Sequence, residues 1–276
     1  AASDVYKRQS LIYNQPEWLI QFFEKKYGME QSKKILKAFN TVPDTCIRVN
    51  TLKITTDAIK KQLKLKNISV EDIPYIQEGL SIKTGADTLF SEFLQTGLLY
   101  VQTASSMIPA KVLGPDAGDH VLDMCAAPGS KTTHIAALMG NRGSIDAWDV
   151  YPHKVKLIKD NAKRLGISII HTEVRDSVKP LPFLYETYDK VLLDAPCSGL
   201  GVLGHKVEFR WRRKESDLSV FPPLQKQLIE QAAKYTKTGG VLVYSTCTLN
   251  PDENEHIINE FLSLHSEFAP EEFNFP

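Results

Sequence analysis

In LLDAPCSGLG, Leu192–Gly201, the thiol of Cys197 stands three residues beyond the carboxyl of Asp194. In YSTCTLNPDENE, Tyr244–Glu255, Cys247 closes an apolar, β-branched run that breaks at once into proline and acids. These are the residue types of covalent catalysis. A thiolate is a strong nucleophile toward electron-poor carbon, and a free thiol with a pKa near ~8.5 ionises in a modestly favourable site. A neighbouring carboxyl can hydrogen-bond the heteroatom on which charge develops as sulfur adds. A buried cysteine is more often a small hydrophobe; that reading suits Cys46 and stays open for Cys125. At Cys197 and Cys247 the adjoining strand ends favour chemistry, although the residues themselves do not rank the two thiols.

A second group of residues could hold a cofactor. CAAPGSKT, Cys125–Thr132, is a small-residue loop running into a helix, where Ala126, Ala127 and Gly129 let a ligand approach the backbone. It lacks the spacing of a phosphate-gripping P-loop and of a GxGxxG dinucleotide turn. Asp149 follows Gly129 by 20 residues, where doubly wound nucleotide binders place an acceptor for ribose hydroxyls. Asp176 in EVRDS and Asp194 follow the next two strands. A ligand with ribose and an adenine amino group, but no pyrophosphate, matches such a rim, which points to S-adenosyl-L-methionine rather than NAD. Beside a methyl donor, two thiols and an acid have a specific use. Carbon 5 of cytosine becomes nucleophilic once a thiolate adds to carbon 6, and a carboxyl at ring nitrogen 3 offsets the charge that develops.

The elements that must position these groups fall into two styles. From Gln15, PEWLIQFFEKKYG has helical spacing from Pro16 to Gly28, and a second helix is expected over about Glu30–Phe39. TCIRVNTLK reads as a strand, TTDAIKKQLKLKN as a helix with a Thr cap, and ISVEDIPYIQEGLSIKT as one or two strands, together a small α+β module. After about residue 118, HVLDMCA, SIDAWD, SIIHTEV, KVLLDAP and VLVYSTC alternate with amphipathic segments. One such segment opens at Pro152 and closes at Gly166, and another ends at Gly239–Gly240. This is an α/β pattern with a parallel sheet covered on both faces, whose ligands sit at the carboxyl ends of the strands. Residues 1–9, AASDVYKRQ, show no period and are expected to be an extension foreign to the fold. The expected domains are residues 10–92 and 93–276.

Lys plus Arg equals Asp plus Glu at 33 each among 276 residues, so long-range electrostatics give no reason to invoke nucleic acid or an anionic membrane. Any basic surface must be local. The cysteines form no CxxC pair, so no metal is expected, and reduced thiols, the lack of an apolar span and the lack of a leader suggest a cytoplasmic protein. A monomer is the default.

DMCAAPGSKT, DAPCSGLG and YSTCTLNPDENE, flanked by RVNTLK at Arg48–Lys53 and GLLYVQTASS at Gly97–Ser106, resemble the Sun/Nop family of RNA cytosine-5 methyltransferases. Within it the resemblance is greatest to the bacterial 16S ribosomal RNA branch (Sun/Fmu-like), and it runs from about Pro16 to the last helix. It implies a Rossmann-like S-adenosylmethionine-dependent methyltransferase sheet with a small N-terminal α+β domain of RNA-binding type. Cofactor contacts are implied for Cys125, Ala126, Ala127, Pro128, Gly129, Ser130, Lys131, Asp149, Asp176 and Asp194. It further implies Cys247 as the nucleophile, Cys197 as an aid to product release and Asp194 as the ring-activating acid.

The chain departs from the family pattern in three places. Ser130 stands where the family usually has glycine, the residues before Gln15 are not expected to supply the helical RNA-binding domain that bacterial members often carry, and the two final strands of the family sheet are expected to lie beyond Pro276. A fragment with an exposed sheet edge is therefore expected. RNA contacts are expected from HKVEFRWRRK, which carries Lys206, Arg210, Trp211, Arg212 and Arg213, and from Arg48. The target cytosine should be flipped or looped out, because both ring faces must be reached. Transfer RNA as substrate, a nucleotide-dependent oxidoreductase, and an inactive RNA-binding relative are the competing readings.

Overall fold

The computed structural model describes residues 2–84 and 90–273. In chain order its helices are α1 (Ala2–Tyr13), α2 (Glu17–Ala38), α3 (Thr56–Leu65), α4 (Phe90–Gln95), α5 (Ala104–Leu113), α6 (Ser130–Leu138), α7 (Pro152–Leu165), α8 (Phe209–Arg212), α9 (Phe221–Tyr235) and α10 (Glu255–Leu264). The strands are β1 (Thr45–Val49), β2 (Ser69–Ile73), β3 (Ile76–Thr84), β4 (Leu99–Val101), β5 (His120–Asp123), β6 (Ser144–Asp149), β7 (Ile170–Val174), β8 (Tyr188–Asp194) and β9 (Thr236–Ser245). None of the described helices is long and apolar enough to cross a membrane.

Two compact units arise. The first gathers three separated stretches, residues 1–43, 196–226 and 246–268. Its core is aromatic-rich: Tyr13, Leu19, Ile20, Phe22, Phe23, Leu36 and Phe39 from α1, α2 and the turn after them pack with Leu200 and Leu203. Gly28 takes φ +75° and breaks α2 into two helical runs, a backbone state that glycine reaches without steric cost. Residues 2–9 form most of α1, where Tyr6 packs on the aromatic core and Gln9 donates to Glu24 at 3.2 Å. Helix α1 carries no sequence signature because Leu11 and Ile12, among its most apolar residues, are exposed and trace no buried stripe.

The second unit takes residues 44–195, 227–245 and 269–276. One of its sheets is antiparallel, of order β2-β3-β1-β4, with Ile47 opposite Leu80 and Arg48 opposite Tyr100. Thr55 caps α3 by accepting from the Ala58 amide, and the helix buries Ile59 and Leu63 with Ile47, Val49 and Leu80. The other sheet has order β7-β6-β5-β8-β9 and is parallel throughout, with Val121 in register with Ile145 and Lys190. Helix α7 opens on Pro152, buries Val155, Ile158, Ala162 and Leu165, and ends at Gly166 with φ +76°.

One boundary differs from the sequence expectation. Helix α9 ends at Tyr235, and the chain enters β9 at once, so Gly239 and Gly240 lie inside a strand rather than at a helix end. Asn250 and Pro251 do start a turn, with Asn250 accepting from the Asp252 amide. That turn is a single 3₁₀ turn, and α10 begins only at Glu255.

Candidate active site

The sheet order places β7, β6, β5 and β8 side by side, so Asp176, Asp149, Asp123 and Asp194 stand at or just beyond four adjacent strand ends. Neighbouring strands are spaced by roughly 4.8 Å, which makes these acids a continuous rim. Asp149 is buried and accepts from the Tyr151 amide at 3.1 Å, which leaves its other oxygen clear of that turn. Asp176 accepts from the Val178 amide at 3.3 Å. Asp194 receives Lys131 at 2.6 Å on one oxygen and the Ser245 hydroxyl at 2.7 Å on the other.

Asp123 was not singled out in the sequence, although it ends its strand as Asp149 and Asp194 end theirs. It is buried and accepts the Thr132 hydroxyl at 2.7 Å through Oδ2, while Oδ1 is buried without a hydrogen-bond partner. Burial, opposed by the Thr132 hydroxyl and reinforced by nearby Asp194, lifts its carboxyl to about 7.

The loop between β5 and α6 carries Cys125, Ala126, Ala127, Pro128 and Gly129. Gly129 takes φ +96° as the N-cap of α6, and a Cβ there would sit 3.2 Å from the Ile158 Cα. Ser130, the residue that departs from the family pattern, is the first residue of the helix and needs no left-handed backbone. Cys125 is half-buried; burial first, then Asp123, Asp149 and Asp194, drives its thiol well above the ordinary range, so it stays protonated. This donor set suits S-adenosylmethionine: carboxylates for ribose hydroxyls and an amino group, small residues along the loop, and a buried unpartnered oxygen at Asp123.

In the first unit, the Sγ atoms of Cys197 and Cys247 lie 3.2 Å apart. Cys247 is exposed and Cys197 half-buried. The Cys247 amide donates to the Cys197 sulfur at 3.3 Å, and the Gly201 amide donates to the Cys247 carbonyl at 3.0 Å. The hydrogen bond with Cys247, together with burial, raises the Cys197 thiol far above its usual range, so Cys197 holds its proton.

Two of the expected RNA contacts are corrected by burial. Arg210 is 3% exposed and donates to the Leu203 and Phe39 carbonyls and to Asn40, so it fastens the aromatic core. Arg48 is 2% exposed and donates to Gln102, to the Ser130 carbonyl and to the Thr133 hydroxyl, which ties β1 to the first turn of α6. Lys206, Trp211 and Arg212 are exposed. Arg213 is half-buried, with its guanidinium over the Phe209 and Phe221 rings.

A parallel five-stranded sheet with acids along adjacent strand ends and a small-residue loop after β5 defines a Rossmann-like S-adenosylmethionine-dependent methyltransferase domain. The chain belongs to the 16S rRNA methyltransferase RsmB/F family, whose model matches residues 110–276; a model of the RsmF/B-like ferredoxin-like domain matches residues 15–88. It is 37% identical over 98% of its length to the probable ribosomal RNA small subunit methyltransferase B of Bacillus subtilis, and it covers 61% of that protein. Among solved structures it is similar to a methyltransferase homolog protein from Pyrococcus horikoshii (TM-score 0.83, 34% identity, 94% of this chain and 82% of that one). It is also similar to NSun6 from Pyrococcus horikoshii, solved with SFG (TM-score 0.81, 27% identity, 90% of this chain and 87% of that one). The chain spans about three-fifths of the length of the first curated relatives it matches.

Proposed function

We propose that this chain takes part in methylating carbon 5 of a cytosine in 16S ribosomal RNA, through a covalent bond between Cys247 and carbon 6 of the ring. The observation that carries the reading is the thiol pair, an exposed Cys247 whose sulfur lies 3.2 Å from a Cys197 that keeps its proton.

Cys247 gives up its proton to solvent and its sulfur bonds carbon 6, while the electron pair of the 5,6 double bond moves onto carbon 5. Asp194, held by Lys131 and Ser245, is the carboxyl that, carrying a proton, donates it in a hydrogen bond to ring nitrogen 3 and so offsets the negative charge that develops there. When bound, S-adenosylmethionine supplies an electrophilic methyl group on a sulfonium, and the adjoining rim acids Asp149 and Asp176 hold its hydroxyls and amino group. After transfer water takes the proton on carbon 5, its electron pair restores the 5,6 double bond, and the carbon–sulfur bond breaks. Cys197 is protonated beside the departing sulfur, so its thiol proton stabilises Cys247 as it leaves as thiolate. Arg212, Trp211 and Lys206 supply charge and a stacking surface to the RNA.

A denaturing gel of the protein with S-adenosylmethionine and 16S ribosomal RNA containing 5-azacytidine tests this. That ring blocks completion of the elimination, so a band that survives denaturation and vanishes in Cys247→Ala is expected. A band that persists in Cys247→Ala would move the attack to another residue. No band, with cofactor still bound in calorimetry, would remove the adduct from the mechanism.

A further inference from the structure

The carboxylate of Glu253 is fully buried in the first unit. It belongs to the PDENE run that reads in sequence as the start of a helix, yet its side chain is not spent on that helix. Its Oε2 accepts from the Ser198 amide at 2.8 Å and from the Gln225 side-chain amide at 3.0 Å, and its Oε1 accepts from the Asn250 side-chain amide at 3.1 Å. The same Gln225 amide also donates to the Pro196 carbonyl at 2.9 Å. Glu253 and Gln225 thus clasp the residues on both sides of Cys197.

The clasp continues to the other thiol. The Ser198 hydroxyl pairs with the Thr248 hydroxyl at 2.7 Å, and the Asn250 amide donates to that Thr248 hydroxyl at 3.2 Å. Both thiols are therefore flanked by a residue in one hydrogen-bonded group that uses neither sulfur. A buried carboxylate is costly unless donors surround it, and here those donors belong to the thiol loops or to the residue that grips one of them. A group held on so many sides fixes position rather than merely filling space.

We propose that Glu253 is a positioning residue for the thiol pair, setting Cys197 against Cys247 so that the adduct can be resolved. The inference rests on the thiol roles given above. Glu253→Gln is the discriminating change. It keeps shape, but one of its two terminal atoms becomes an N–H donor facing donors, so one side of the clasp opens. Gln225→Met opens the Pro196 side without touching a charge.

The test uses unmodified 16S ribosomal RNA and S-adenosylmethionine, with Cys197→Ala as reference, and reads covalent protein–RNA adduct on a denaturing gel beside turnover, cofactor affinity and Tm. Both variants are expected to accumulate adduct as Cys197→Ala does, with turnover down ~10- to 100-fold, as sub-ångström misplacement of a catalytic group produces. Cofactor affinity should match the parent. Turnover equal to the parent, or a loss of turnover and adduct that tracks the loss of folded protein, would overturn the proposal. Should Glu253→Gln fail to fold, Gln225→Met decides by the same readings. If Cys197→Ala itself traps no adduct, the thiol roles fail and this inference falls with them. If it traps adduct while both variants release theirs normally, the inference alone fails.

Discussion

Lys131 Nζ lies 2.6 Å from Asp194 Oδ2, so the lysine of the cofactor loop is pinned to the acid at the end of β8. With Ser245 on the other oxygen, the Asp194 carboxylate is held in one orientation before any substrate arrives. Preorganisation of this kind is where electrostatic catalysis gains most. Asp194→Asn keeps the shape but loses the charge, and methyl transfer is expected to fall by about 100-fold or more, as removal of one such stabilising group does. Cofactor affinity, measured by calorimetry, should change far less. Methyl transfer at the parental rate would take Asp194 out of the chemistry.

Gly201 has no left-handed backbone requirement, yet a Cβ there would sit 2.9 Å from the Cys247 carbonyl oxygen. Gly201→Ala should therefore push the Cys247 loop rather than the protein core. The expected signature is a clear loss of methyl transfer with a Tm within a few degrees of the parent, read by scanning calorimetry beside a filter-binding methylation assay.

Asp123 gives a pH dependence. Burial raises its folded carboxyl to about 7, well above the ordinary carboxylate range, so the folded state binds the proton more tightly than the unfolded chain. The stability this provides is complete below the unfolded value and is lost as pH rises through about 7. In Asp123→Asn an amide takes the place of the protonated acid and can still accept from Thr132. The variant should gain stability relative to the parent between pH 5 and 8, by on the order of 2–4 kcal/mol across the full window. Denaturant titrations at both ends measure it; parallel pH profiles for the two proteins would show that Asp123 does not titrate there.

The basic segment separates structure from recognition. Arg210→Ala leaves the Phe39 and Leu203 carbonyls without their donor and should cost about 2–4 kcal/mol of stability. Arg212→Ala should leave Tm unchanged and reduce the salt dependence of RNA binding by roughly one phosphate contact. Trp211 is 58% exposed, and Trp211→Ala should weaken RNA binding by about 1–3 kcal/mol if a base stacks on it. Equal affinities in the parent and both surface variants would place the RNA elsewhere.

The parallel sheet was legible because its strands are apolar on both faces and its helices keep a clean period, as Val155, Ile158, Ala162 and Leu165 do on α7. Asp149, Asp176 and Asp194 could be placed at strand ends for the same reason, since a strand end is marked by the residue where the apolar run stops; Asp123 was passed over because the apolar run continues beyond it through Met124 and Cys125. Arg48 and Arg210 were misread because a basic side chain in a motif looks alike whether it meets phosphate or backbone carbonyls. Only the packing of α2 and of α6 against them shows which. The role of Glu253 was not legible, since its hydrogen bonds to Ser198 and Gln225 join residues that are 55 and 28 positions away. Helix α1 escaped because packing of Tyr6 and Tyr13, rather than an amphipathic stripe, holds it.

The bonds from Ser198 to Thr248 and from Glu253 to Ser198 and Gln225 bind three stretches of chain into one mutational unit. A change at any of them alters what the others must satisfy, so their effects should combine non-additively, whereas changes on the exposed faces of α10 should simply add. Neither thiol loop is free to drift by itself. A substitution tolerated in one lineage would be tolerated only on the background of its partners, which makes this cluster a place where the history of the sequence constrains its future.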